Sequence, residues 1–240
     1  MTTTRKSRIA LVGLLGFAAF VGCTNPGLTP WKSGSLASSS EGESAESKQS
    51  KEELPPKEAA RACLAAAEEL QKGGHSEQAI LLYEKARRND PGLKTVAHHL
   101  AVLYDLQGDS TKSLAEFNSA VEAEPNSADV HSDLGFYYLE RDNLGDAERE
   151  LRKAIAIDPK HAKALTNLGM VLAGEQHFDE SFLMFSKAVG PAAAHSNLGV
   201  LLAKQGRTDD ARREFHEALA LDSTLKQPQA FLDYLDHSRR

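Results

Sequence analysis

Residues 128–161, ADVHSDLGFYYLERDNLGDAERELRKAIAIDPKH, space their apolar positions as two short amphipathic helices. A polar break at Arg141, Asp142 and Asn143 separates the two, and Asp158-Pro159 stops the second. Aligned against itself, the chain repeats this pattern every 34 residues. A fixed period in that range predicts stacked helix pairs forming a solenoid, so most of the 240 residues belong to one quasi-linear domain.

Within the unit the seventh and eighth positions are Leu134 and Gly135, the eleventh Tyr138, the twentieth Ala147, the twenty-fourth Leu151, the twenty-seventh Ala154 and the thirty-second Pro159. The frame places further units at 60–93, 94–127, 162–191 and 192–225. In all five, the eighth, twentieth and twenty-seventh positions hold only Gly, Ala or Ser, and the twenty-seventh is always Ala. Small side chains there let two helix backbones approach, while Leu, Tyr and Phe fill the space alongside.

These residues resemble the tetratricopeptide repeat (TPR), whose pattern is aromatic-x-x-Leu-Gly-x-x-Tyr, then Ala-x-x-x-Phe, then Pro. The resemblance implies an all-α fold: a TPR solenoid of five helix-turn-helix units wound as a right-handed superhelix. Residues 226–240 carry Phe231, Leu232, Tyr234 and Leu235 and are expected to form a C-terminal capping helix. Three departures stand out. The fourth position, usually aromatic, reads Cys63, Ala97, His131, Leu165 and His195. The fourth unit ends one helical turn early at Gly190-Pro191, which roughly preserves the inward face. The fifth has Ser223 in place of proline.

The first 56 residues lie outside this frame. Arg5, Lys6 and Arg8 precede an uncharged run over residues 9–22 and then Cys23. The run is short for a bilayer span and suits the centre of a secretory signal peptide, residues 1–22. Residues 19–23, AFVGC, look like a bacterial lipobox in which Cys23 is acylated. An ordinary cleaved signal and an uncleaved anchor are the alternatives, and bulky Phe20 at −3 argues against ordinary cleavage. Several acyl chains on Cys23 would make anchoring stable. Thr24 after the cysteine resembles an outer-membrane address, which makes the periplasmic face of the outer membrane the expected location. Residues 23–56 then form a lipidated, disordered tether rich in Ser, Gly, Pro, Glu and Lys, reaching about 30 Å as a flexible coil. Trp31, the sole Trp, reads there as a solvent-exposed aromatic or an interfacial anchor.

Composition and charge narrow the function. Without Arg5, Lys6 and Arg8 the 28 basic residues become 25 against 34 acidic, a net charge of −9. No basic stripe offers itself to nucleic acid or to an anionic membrane surface. Cys63, the one thiol besides Cys23, leaves no internal disulfide to form and sits on an apolar helix face. His98-His99, His131, His161 and His195 come without HExxH, CxxC or a carboxylate-rich loop, so no metal is expected. GxSxG, GxxxxGK[ST] and GxGxxG are absent. The chain is expected to be no enzyme and to need no cofactor and no small-molecule substrate.

What remains is the concave side of the array. The resemblance implies that the second, fifth, sixth, ninth and twelfth positions of each first helix meet ligands. That assigns a partner groove to Leu64, His98, Val102, Phe136, Leu139, Lys163, Asn167, Met170, Asn197 and Val200. The lining is mainly apolar with amides beside it and lacks a Lys/Asn/Arg carboxylate clamp. It suits a protein partner's apolar or amphipathic segment, held helix-in-groove, with packing between units as the alternative role for Phe136 and Met170. The expected function is a membrane-anchored TPR adaptor in a bacterial envelope, its layout resembling pilus or secretion-system assembly factors. A regulatory adaptor recruiting an envelope protease or cell-wall hydrolase is the alternative, and a structural repeat that self-associates through its end faces is a third.

Overall fold

The computed structural model describes residues 54–237. Among them the chain is all-α: eleven helices and no strand. The helices pair as α1 (Pro56–Lys72) with α2 (Ser76–Asn89), α3 (Thr95–Leu106) with α4 (Ser110–Ala123), and α5 (Ala128–Leu139) with α6 (Leu144–Ile157). Then follow α7 (Ala162–Gly174) with α8 (Phe178–Val189), α9 (Pro191–Lys204) with α10 (Thr208–Leu221), and the single α11 (Lys226–His237). The expected signal peptide, the acylated Cys23 and the tether lie outside the described residues, apart from its last stretch.

Each pair turns in the same way. The fifteenth position of every unit (Gly74, Gly108, Asp142, Gln176 and Gly206) has positive φ, between 57° and 78°. The next amide then donates back to the eleventh carbonyl, as in His75 N to Leu70 O (2.8 Å) and Asn143 N to Tyr138 O (3.0 Å). This left-handed C-terminal turn satisfies carbonyls that the helix end would leave bare. Second helices start on side-chain caps where the sequence supplies them: Lys112 N donates to Asp109 Oδ1 (3.1 Å) and Asp146 N to Asn143 Oδ1 (3.4 Å).

Close approach within a pair depends on the small residues. A Cβ added to Gly135 would lie 2.6 Å from Leu151 Cγ, one on Gly169 2.8 Å from Phe185 Cε1, and one on Gly199 2.6 Å from Phe215 Cε1. Ala79, Ser113, Ala147, Ser181 and Ala211 are fully buried, as are Ala86, Ala120, Ala154 and Ala218. Ala188 is the exception and is half-buried, because α8 ends early. Gly190 (φ 84°) alone joins α8 to α9. The shortening thus comes from the end of α8 and from the linker that separates other units.

Between units, the third, seventh and tenth positions carry the core. Val96, Leu100 and Leu103 of α3 cluster with Ala79 and Tyr83 of α2. Ala164, Leu168 and Val171 do the same against Ala147, Leu151 and Ala154. In α11 these positions are Pro228, Leu232 and Leu235, all buried, so the last helix docks as the first helix of a sixth unit would. Its fourth and eighth positions, which in a full unit meet the paired helix, are the exposed Gln229 and Asp233, and Gln229 Nε2 donates to Asp233 Oδ1 at 2.9 Å. At the other end the third, seventh and tenth positions, on α1, are Ala62, Ala66 and Glu69, all exposed. Both terminal faces of the described stack are therefore small or polar.

Candidate functional site

Successive first helices touch, α3 with α5, α5 with α7, α7 with α9 and α9 with α11, whereas second helices make no comparable contact with one another. The array therefore curves with its first helices inside. Their ninth positions form a column across it: Glu68, Val102, Phe136, Met170 and Val200, each half-buried. Phe136 and Met170 also pack against the core around Leu139 and Leu168, and Val102 and Val200 against neighbouring clusters. Each thus has one flank in the stack and one in solvent.

Leu64 is half-buried against the first core cluster, and Lys163 is exposed. Leu139, expected in the lining, is instead a core residue. It is 6% exposed and sits with Ala147, Leu151 and Leu168, because the end of α5 is covered by α6 and α7. Asn167 and Asn197, at the sixth position of adjacent units, are half-buried, and neither carboxamide bonds any side chain or backbone group among the described residues. The 34-residue frame carried past residue 225 adds one residue to the column that sequence reasoning left in the cap: Tyr234, ninth in α11 and 69% exposed.

The histidines are tied into helix contacts. His98 Nε2 lies 2.9 Å from Asp133 Oδ2 of the next unit. Gln71 Oε1 accepts from the Tyr83 hydroxyl (2.7 Å) and from His99 Nδ1 (3.1 Å), leaving His99 Nε2 as the acceptor nitrogen. Burial, and then the neighbouring His98, lower the His99 pKa and favour the neutral ring. His131 Nδ1 meets Glu150 Oε2 (2.8 Å) while its Nε2 meets the Pro125 carbonyl (3.0 Å). Arg141 spans two units: it donates to Tyr137 O (2.8 Å), Asp105 Oδ1 (2.6 Å) and Ser110 Oγ (3.0 Å), and stacks 3.6 Å from the Tyr137 ring centroid. Glu140, beside it, has its carboxyl held above the ordinary value by burial and then by the Asp105 charge.

Among the described residues no three His, Cys, Asp or Glu side chains converge as a metal site would require. No described helix is long and apolar enough to cross a membrane. A cavity of about 420 Å³ opens beside the first turn, between Gly74, His75 and Leu106, and its walls are mainly polar. What the inner face offers is an apolar column, two unpartnered amides and fixed charges, an arrangement suited to holding a chain segment.

Known proteins resemble this chain in sequence and in fold. The type IV pilus assembly protein PilF of Pseudomonas aeruginosa is 25% identical over 143 residues, 57% of this chain and 56% of that protein. The chain thus spans little more than half of that relative's length. The solved structure of PilW, described as a widely conserved type IV pilus biogenesis factor, superposes with a TM-score of 0.59 at 20% identity, over 70% of this chain and 79% of PilW. YrrB, a TPR protein with an unusual peptide-binding site, superposes with a TM-score of 0.56 at 21% identity, over 72% of this chain and 92% of YrrB. Models of the tetratricopeptide repeat match residues 64–128, 133–197 and 192–225, well over half of the chain. The protein therefore belongs to the tetratricopeptide-repeat family.

Proposed function

We propose that this protein is a lipid-anchored adaptor of a bacterial envelope that serves type IV pilus or secretion-system assembly by holding an apolar or amphipathic segment of a partner protein. The observation that carries the reading is the row Val102, Phe136, Met170 and Val200, one on each of four successive touching helices and each half-buried. Helix-in-groove recognition needs such a row of apolar anchors on a preformed surface. Met170 adapts its shape to the ligand, and the Asn167 and Asn197 amides bond the ligand's polar groups. The two relatives named for type IV pilus assembly or biogenesis support the pathway. Cys23 supplies the anchor, and confinement near a membrane raises the effective concentration of a membrane-bound partner without new contacts. The protein then acts as a scaffold, with no chemistry of its own.

The test pairs binding with stability. Phe136→Ala with Met170→Ala is expected to abolish capture of the partner from solubilised envelopes while the array still melts cooperatively. Unchanged capture with a lowered melting temperature would assign both side chains to packing alone. Cys23→Ser is expected to move the protein from the membrane to the soluble fraction, and continued sedimentation with membranes would remove the anchor.

A further inference from the structure

Charge divides the inner face in two. Toward the N-terminal units it carries Glu68, Asp105, Asp133 and Glu140; on α1 Arg61 and Lys72 balance the acidic residues, so the acidic excess lies over α3 and α5. His98 faces Asp133 and Arg141 pairs with Asp105, but Glu68 and Glu140 make no ion pair among the described residues. Beyond α5 the sign changes. Neither α7 nor α9 contains a single Asp or Glu, while Lys163 and Lys204 add positive charge to them. The apolar column runs through both halves and continues to the exposed Tyr234.

We propose that the groove's occupant is an amphipathic helix with one cationic end, its positive charges over α3 and α5 beside Glu68 and Glu140, and its uncharged apolar end over α9 and α11. This rests on the adaptor reading above and names the partner segment's chemistry. An anionic end is repelled at α5, and a cation placed at α9 meets Lys204 instead of a carboxylate, so complementarity selects both the sign and the orientation. A cation over α5 also offsets the Asp105 charge, which with partial desolvation outweighs Arg141 and holds the Glu140 carboxyl above its ordinary value. Packed helices lie about 10 Å apart, so α3 to α11 is a span of roughly 40 Å, which about 27 residues of helix cover.

Three synthetic helices of that length test the proposal, sharing one apolar face and carrying Lys, Glu or Gln at one end. Each is titrated into the full chain by fluorescence anisotropy at low salt. The Lys-ended helix is expected to bind at least about tenfold tighter than the Glu-ended one. Glu68→Lys with Glu140→Lys should remove that preference, while the equal charge change Glu77→Lys with Glu122→Lys on the second helices should keep it. Circular dichroism on each variant reports folding. Equal binding of the three helices, or loss of the preference in both double variants, overturns the cationic assignment and leaves the groove intact. No binding of any helix overturns the groove reading as well.

Discussion

His131 Nδ1 lies 2.8 Å from Glu150 Oε2 with both residues buried, 3% and 4% exposed, and the same pair recurs two units later as His195 and Glu214 at 2.7 Å. Both pairs join the fourth position of a first helix to the twenty-third of its partner, where the repeat usually places an aromatic ring. A flat heterocycle thus occupies the aromatic's place and adds a bond across the helix pair. The ring packs as well: Phe182 lies 4.4 Å from His195, centroid to centroid.

Glu150 gives this pair a pH dependence with a definite sign. Burial alone pushes its carboxyl up, but bonds from His131, Lys153 and Arg149 outweigh that and leave its pKa below the ordinary value. A depressed folded-state pKa contributes stability above the unfolded-state pKa and loses it as pH falls through the folded value. Glu150→Gln is expected to cost about 1.5–3 kcal/mol at pH 7. The gap between wild type and variant should close as pH drops below about 4, the ordinary carboxylate range. Urea melts at pH 7 and pH 3 measure it, and a gap of constant size would show that the charge contributes nothing.

The glycines at the eighth position set how near the paired helices come. Gly199→Ala puts a Cβ 2.6 Å from Phe215, and overpacking of this kind costs about 1–3 kcal/mol. Adding Phe215→Leu should recover part of the loss, because the two sites share one contact and are not additive. Ala154→Leu, at a fully buried twenty-seventh position, is expected to fall in the same range. A neutral thermal melt for either single variant would contradict the close approach.

Gln176 occupies the left-handed turn that three other units fill with glycine. A non-glycine residue there is strained by about 1–2 kcal/mol, and glycine's greater unfolded-state entropy offsets part of any relief. Gln176→Gly is therefore expected to stabilise by about 0.5–1 kcal/mol, a rise of roughly 1–4 °C in Tm. Gly108→Gln should lower Tm, and a fall with Gln176→Gly would place the strain elsewhere.

The 34-residue frame carries some of these relationships and hides others. Small residues at fixed positions are legible because each answers a neighbour inside its own unit, as Gly135 answers Leu151. The shared left-handed turn is hidden, because Asp142 and Gln176 adopt it without the glycine that would announce it. His131 stands in sequence at the usually aromatic fourth position, but Glu150 as its partner needs the angle at which α5 meets α6. Leu139 fails for a related reason: the position numbers a face, and only the crossing of α6 and α7 decides whether that face reaches water. Tyr234 was available to the same frame, extended past the last complete unit.

His161 joins units three and four through both ring nitrogens. Its Nδ1 accepts the Ala164 amide (3.1 Å), capping α7, and its Nε2 lies 3.0 Å from Asp129 Oδ1 at the start of α5. An accepting Nδ1 bears no proton, so Nε2–H is the donor to Asp129. That bond is the main reason the Asp129 carboxyl titrates below its ordinary range. His161→Ala is expected to cost about 1 kcal/mol through the lost cap and to raise the Asp129 pKa toward the ordinary carboxylate range. His161→Asn separates the two effects, since asparagine caps helices well but its amide is too short to reach Asp129 as the imidazole does. Stability near wild type with Asp129 raised toward the ordinary range, read by carboxyl NMR titration, is the expected result. An Asp129 titration unmoved by either variant would assign its shift to Lys163 and the other nearby charges instead.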